Sequence, residues 1–192
     1  MNIDQLIQSR RSVFPAQFAG GLLNESDIER LLKNANWAPT HLHTEPWRFM
    51  VFSGAAMESL MHFLAGLYKE ITLPEHFSLA KFEKYTDRMA KTSHVIAIGM
   101  ARHENTGIPE EEEIAAVAMA VQNMWLTLAD IPEVGGYWSS GSLVYTPQMA
   151  EYLGWPPEVR CLGLFYLGKV DPTKPHAEGK RKPWEEKVIW KK

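Results

Sequence analysis

Pro109 is followed by four glutamates, Glu110 to Glu113, and then by thirteen residues, Ile114 to Leu126, among which only Gln122 and Asn123 are polar. Proline suits the first turn of a helix and carboxylates favour its positive end, so the pattern predicts a helix from Pro109 to about Ala129, before Pro132. A helix that is apolar on nearly every face has to be buried all round. It is either the central helix of a domain or it packs in part on another subunit. The rest of the chain must supply the layers that cover it.

At 192 residues the chain can bury a sizeable core and is sized for one domain, residues 1–192. Ile3, Leu6 and Ile7 predict a short amphipathic helix over 2–10. A second helix is capped by Asn24 or Ser26, carries the stripe Ile28, Leu31, Leu32 and Ala35, and runs into Ala38-Pro39. Strands are expected at 48–52, 94–100 and 161–167, with helices over 55–66 and 76–91 joined through Thr72-Leu73-Pro74. Residues 135–141 read as a glycine-rich loop. From Asp171 onward Pro172, Pro175, Gly179 and Pro183 break the chain, Lys180-Arg181-Lys182 is basic, and Val188-Ile189-Trp190 is apolar. Such a tail, residues 171–192, is expected to cross a surface and reach a partner subunit.

A formal net charge of −3, with 22% charged residues, gives no electrostatic reason to expect nucleic acid. Cys161 is the only cysteine, which excludes an intramolecular disulfide and fits a reducing compartment. It lies in an expected buried strand and reads as core. The start shows no charged segment followed by an apolar one, and no apolar run is long enough to span a bilayer. A cytoplasmic protein with no membrane partner is expected.

Arg10, Arg11 and Ser12 offer guanidinium forks and a hydroxyl within one turn, a set that suits a phosphate, although arginines also sit well at a helix C-terminus. His41 and His43 stand on a short turn between Pro39 and Pro46. With only Glu45 nearby they lack a third ligand, so no metal is expected. Gly135 to Gly141 would let backbone amides approach a planar ligand, but neither dinucleotide nor nucleotide-triphosphate glycine motifs are present. Lys180-Arg181-Lys182 is either a solvated run or an anion contact.

Taken in order, Arg10-Arg11-Ser12, the tract Ala38-Pro39-Thr40-His41-Leu42-His43-Thr44-Glu45-Pro46-Trp47-Arg48-Phe49 and the stretch Gly135-Gly136-Tyr137-Trp138-Ser139-Ser140-Gly141 resemble the FMN-dependent nitroreductase family, in its small single-domain branch. Thr40 and Glu45 replace the Ser and Gln of that pattern, and Phe14 stands where larger members often carry a basic residue. The resemblance implies an α+β fold, a central mainly antiparallel sheet flanked by helices, and an intertwined homodimer with FMN at the interface. It assigns Arg10, Arg11 and Ser12 to the FMN phosphate and ribityl chain, with Arg181 completing the phosphate site. Pro39, Thr40, His41 and His43 become flavin-edge contacts lent by the neighbouring subunit, and Trp138, Ser139, Ser140 and Gln148 line the flavin.

The implied chemistry is ping-pong: NAD(P)H reduces FMN and leaves, and a nitroaromatic, quinone or similar small-molecule acceptor is then reduced. The flavin carries the chemistry, so no catalytic side chain is named. Two alternatives share the cofactor. One is reductive dehalogenation or flavin fragmentation, which would need a lid within residues 67–90; the other is a non-enzymatic FMN-binding or storage protein.

Overall fold

Every residue of the strand His94–Ala101, β2, is buried. A strand buried on both faces needs neighbours on both edges and a helical layer on each side. The computed structural model, which describes residues 1–104, 107–174 and 178–192, supplies both. Its sheet contains β1 (Trp47–Ser53), β2, β3 (Val134–Ser139) and β4 (Val159–Lys169), in the order β1-β2-β4-β3 and antiparallel throughout. Pro175 lies outside the described residues.

Alternation along the inner strands feeds two separate cores. Ile96, Ile98 and Met100 of β2, with Phe165 and Leu167 of β4, pack under α2 (Glu25–Ala35) and α5 (Glu110–Ala129). Val95, Ala97, Leu164 and Tyr166 point the other way, onto α3 (Gly54–Ile71) and α6 (Pro147–Leu153). α1 (Ile3–Ser9) and α4 (Leu79–Lys91) complete the set, and the α+β architecture is the expected one. Among the described residues, no helix is long and apolar enough to cross a membrane. Residues 67–90, the stretch a lid would need, form the end of α3 and most of α4.

Several boundaries differ from expectation. Residues 134–139 pair with β4 as an edge strand, so five of the seven residues expected to form a loop, 135–139, are strand. α6 carries no sequence expectation, yet it has local signals: Pro147 in its first turn, Thr146 accepting from the Met149 amide, and Gly154 at φ 60 closing it. α2 begins after Asn24 but stops at Ala35, short of Pro39. α5 buries Ala116, Val117, Ala120, Val121 and Met124 on one stripe, while Ala115, Met119 and Gln122 stay exposed. All-round burial of this helix is therefore not achieved within one chain.

Two glycines fix how the N-terminal segment meets the sheet. Val13 donates from its amide to the Gly136 carbonyl at 3.0 Å, and its side chain lies 2.7 Å from where a Cβ on Gly135 would be. At Gly136 the same space belongs to Leu128 and Phe165, at 2.7 and 2.9 Å. No larger residue fits either position without moving a buried neighbour.

The entry into α5 is held by a buried charge. Glu113, 1% exposed at its side chain, accepts from the Arg102 guanidinium and from the His103 ring at 2.9 Å, while Arg102 also donates to the Ile108 carbonyl at 2.7 Å. Burial pushes this carboxyl upward, but the hydrogen bonds from Arg102 and His103 outweigh it and hold it below the ordinary range. A depressed carboxylate contributes stability that is full above its unfolded value, about 4.3, and is lost as pH falls through the folded value. Glu113→Gln should therefore cost about 1.5–3 kcal/mol at neutral pH, the range for a hydrogen bond to a charged group. Urea unfolding across a pH series should show that gap closing under acid; a gap independent of pH would contradict this role.

Candidate active site

Asn2 caps α1 through a reciprocal pair, accepting from the Gln5 amide at 2.8 Å while Gln5 accepts from its backbone at 3.0 Å. The helix ends at Arg10, where ψ turns to 127°, and the chain runs extended along β3. This places Arg10 against the last third of α5, its guanidinium carbon 4.8 Å from the centre of a Trp125 ring. Arg11 donates to the carbonyls of Gln8 at 2.6 Å and Arg10 at 2.8 Å. From the tail, Arg181 turns back over the same spot.

Arg10, Arg11, Ser12, Gln122, Trp125 and Arg181 line a cavity of about 660 Å³. Partial burial, reinforced by the positive charges of Arg181 and Arg11, lowers the pKa of Arg10. Among the described residues no carboxylate lies within 4.0 Å of any of these three arginines. Like charges gathered without a counter-ion form a site for an anion, and planar guanidinium forks match phosphate oxygens. Arg11 and Trp125 also border a second hollow of about 450 Å³, lined by apolar residues including Val13, Leu128 and Val134. The cationic and apolar spaces thus meet at two shared side chains.

The histidine turn lies elsewhere. His41 Nδ1 is 2.6 Å from Glu112 Oε2, in the first turn of α5, and Thr40 shares a hydroxyl contact with Thr44 at 3.1 Å. Leu42, His43 and Glu45 have φ of 49, 54 and 43°, left-handed values that cost of order 1 kcal/mol each in residues other than glycine. The Trp47 indole, bonded to Asn36 at 3.0 Å, anchors the strand end of the turn. Pro39, His41 and His43 are exposed. Thirteen residues of helix separate Glu112 from Trp125, roughly 20 Å at 1.5 Å per residue. Within one chain the turn and the arginine cluster therefore stand apart.

The remaining expected positions divide as a strand divides them. Trp138 turns toward the α2/α5 face, where its indole donates to the Leu162 carbonyl at 3.3 Å and lies over Gly163, a residue at φ 148 beside the bulge that shifts the β2–β4 register. Ser139 lines a different cavity, opposite α4. Ser140 is exposed, and Gln148 is half-buried in the first turn of α6. Sequence reasoning missed Gln122 and Trp125 as lining residues. Their signal was a polar residue and a large aromatic three apart in an otherwise small, apolar helix.

Burial pushes the Cys161 thiol up to about 11, which keeps it protonated and unreactive in the core.

The sequence profile described as the nitroreductase family matches residues 7–169. YfhC of Bacillus subtilis (strain 168), provisionally named an NAD(P)H nitroreductase, is 26% identical over 167 residues, 86% of this chain and 83% of its own length. The crystal structure of a nitroreductase-like family protein from Bacillus cereus superposes with a TM-score of 0.82 at 27% identity, covering 99% of this chain and 96% of that one. A Desulfovibrio desulfuricans protein, provisionally named a nitroreductase and crystallised with FMN, shares the fold with a TM-score of 0.74 at 19% identity, over 100% of this chain and 98% of that one. A profile match over most of the chain, with the fold and the order of motifs just described, means that this chain belongs to the nitroreductase family of oxidoreductases.

Proposed function

We propose that the protein is an FMN-dependent oxidoreductase that transfers hydride from NAD(P)H through the flavin to a nitroaromatic, quinone or similar acceptor, using one pocket in turn for each. The observation that carries this reading is the convergence of Arg10, Arg11 and Arg181 without a carboxylate, beside the Ser12 hydroxyl and the Trp125 ring. That donor set fits a phosphate monoester at neutral pH. FMN, when bound, supplies the two-electron carrier.

In this reading Arg10, Arg11 and Arg181 hold the phosphate and Ser12 the ribityl chain. The segment around Trp138, Ser139 and Ser140, with Gln148, borders the ring system. Pro39, Thr40, His41 and His43 act on the partner's flavin, because their own arginine cluster is roughly 20 Å away along α5. The homodimer this requires has apolar surface to use: Met119 on α5 is 40% exposed and Trp37 is 85% exposed. The tail carries more, with Ile189 at 87% and Trp190 at 72%. Residues 1–192 then form a single FMN-binding domain whose tail, from about 171, reaches toward the partner. The single buried thiol suits a cytoplasmic setting.

Arg10→Ala should weaken FMN binding by about 1.5–3 kcal/mol, the range for a hydrogen bond to a charged group. Fluorescence titration checks this, and unchanged affinity would remove Arg10 from the site. Sedimentation should give a dimer, and Met119→Glu should shift it toward monomer with loss of FMN. A wild-type monomer that retains FMN would contradict the shared-site account.

A further inference from the structure

A second cationic cleft lies on the opposite side of the sheet from α5. Lys81, Lys84, Arg88 and Lys91 recur on α4 at spacings of three, four and three, which aligns them on one helix face. The first three border a cavity of about 610 Å³ whose other walls are the end of α3 and the turn from Ser139 to Leu143. Tyr68 and Tyr85 supply aromatic faces, Ser139 and Ser142 supply hydroxyls, and none of the lining residues is acidic. Glu83 and Asp87 share α4, Glu70 and Glu75 adjoin the lining residues Ile71 and His76 in sequence, and Asp87 borders an adjoining hollow with Lys84, Arg88 and Lys91. Among the described residues neither Lys81, Lys84 nor Arg88 has a carboxylate within 4.0 Å.

Arg88 is fixed in advance. Its guanidinium carbon lies 5.3 Å from the Tyr166 ring centre and 5.6 Å from that of Tyr85. A half-buried guanidinium held between two rings loses little freedom when it takes up an anion. The cations run in a line beside aromatic walls rather than converging on one point, as Arg10, Arg11 and Arg181 do. A line of cations beside an aromatic wall suits an extended ligand, a flat ring whose anionic group lies in the positive field, better than a compact phosphate held by convergent donors.

We propose that this cleft binds the acceptor and selects aromatic carboxylates, with Arg88 taking up the carboxylate, Lys81 and Lys84 supplying positive potential along the helix, and Tyr68 and Tyr85 forming one aromatic wall for the ring. The assignment rests on the reading above, in which Ser139 borders the flavin. For a nitro acceptor each turnover oxidises one NAD(P)H; the nitro group gains two electrons and two protons, one as hydride and one from solvent, and leaves as a nitroso group and water.

The test compares 4-nitrobenzoate with neutral 4-nitrobenzyl alcohol on the FMN-loaded wild type and on the double variant Lys81→Glu, Lys84→Glu. Both positions are exposed, so thermal melting should match that of the wild type. The wild type should favour the acid in kcat/KM, less so as salt is raised, and the variant should lower the acid-to-alcohol ratio about tenfold or more. An unchanged ratio overturns the proposal. So does a change in the NADPH-to-NADH ratio with the acceptor ratio unmoved, which would give the cleft to the co-substrate's phosphate. If the protein fails to retain FMN, the flavin reading fails separately. Calorimetric titration with 4-nitrobenzoate then decides the cleft, and equal binding by wild type and variant would overturn it.

Discussion

One close approach at the edge of the sheet decides where the candidate site can form. Val13 occupies the space that a side chain on Gly135 would fill, and Leu128 and Phe165 occupy that of Gly136. These contacts draw the N-terminal segment and α5 against β3 together. The Val13 amide then bonds the Gly136 carbonyl, and Arg10 comes to rest over Trp125. A bulkier residue at either glycine would lift one element away, and the arginines would lose the wall they face. The fold thus converts two missing side chains into the position of three charged ones.

Charge is sorted as deliberately as packing. The chain holds slightly more acid than base, yet two of its hollows are cationic and without lining carboxylates. The acids that open α5 are engaged elsewhere: Glu110 with Arg160 at 2.6 Å, Glu112 with His41 at 2.6 Å, and Glu113 with Arg102. Exposed pairs such as the first two contribute little to stability, about 0–1 kcal/mol. Their stronger consequence is positional, because Glu112 tethers a turn whose backbone is strained at Leu42, His43 and Glu45. Strain held in an exposed turn is the pattern of a segment shaped for a ligand or a neighbour.

Much of this was legible in the sequence where local chemistry and tertiary packing agree. Pro109 with its glutamates marks the start of α5, Val95, Ile96 and Ile98 mark β2, and aromatic and aliphatic runs mark β1 and β4. β3 was not legible, because Gly135 and Gly136 lower strand propensity and only the atoms packed over them explain the choice. Once 134–139 is a strand, Trp138 and Ser139 must face opposite sides, a separation that a loop reading hides. The arginine cluster was half visible: Arg10, Arg11 and Arg181 stand out by type, but Gln122 and Trp125 are indistinguishable from core until the helix is oriented. The exposed stripe of α5 has the same origin, since periodicity reports that a face is apolar and not what covers it.

Every role proposed for the site depends on the cofactor that Arg10, Arg11 and Arg181 are arranged to receive. The direct measurement is FMN uptake by the purified protein, followed by anaerobic mixing with NADH or NADPH. Stoichiometric binding at micromolar FMN, with the oxidised-flavin absorbance lost on adding a nicotinamide and restored by an acceptor, is the predicted result. A colourless protein with no affinity for FMN at that concentration would contradict the account.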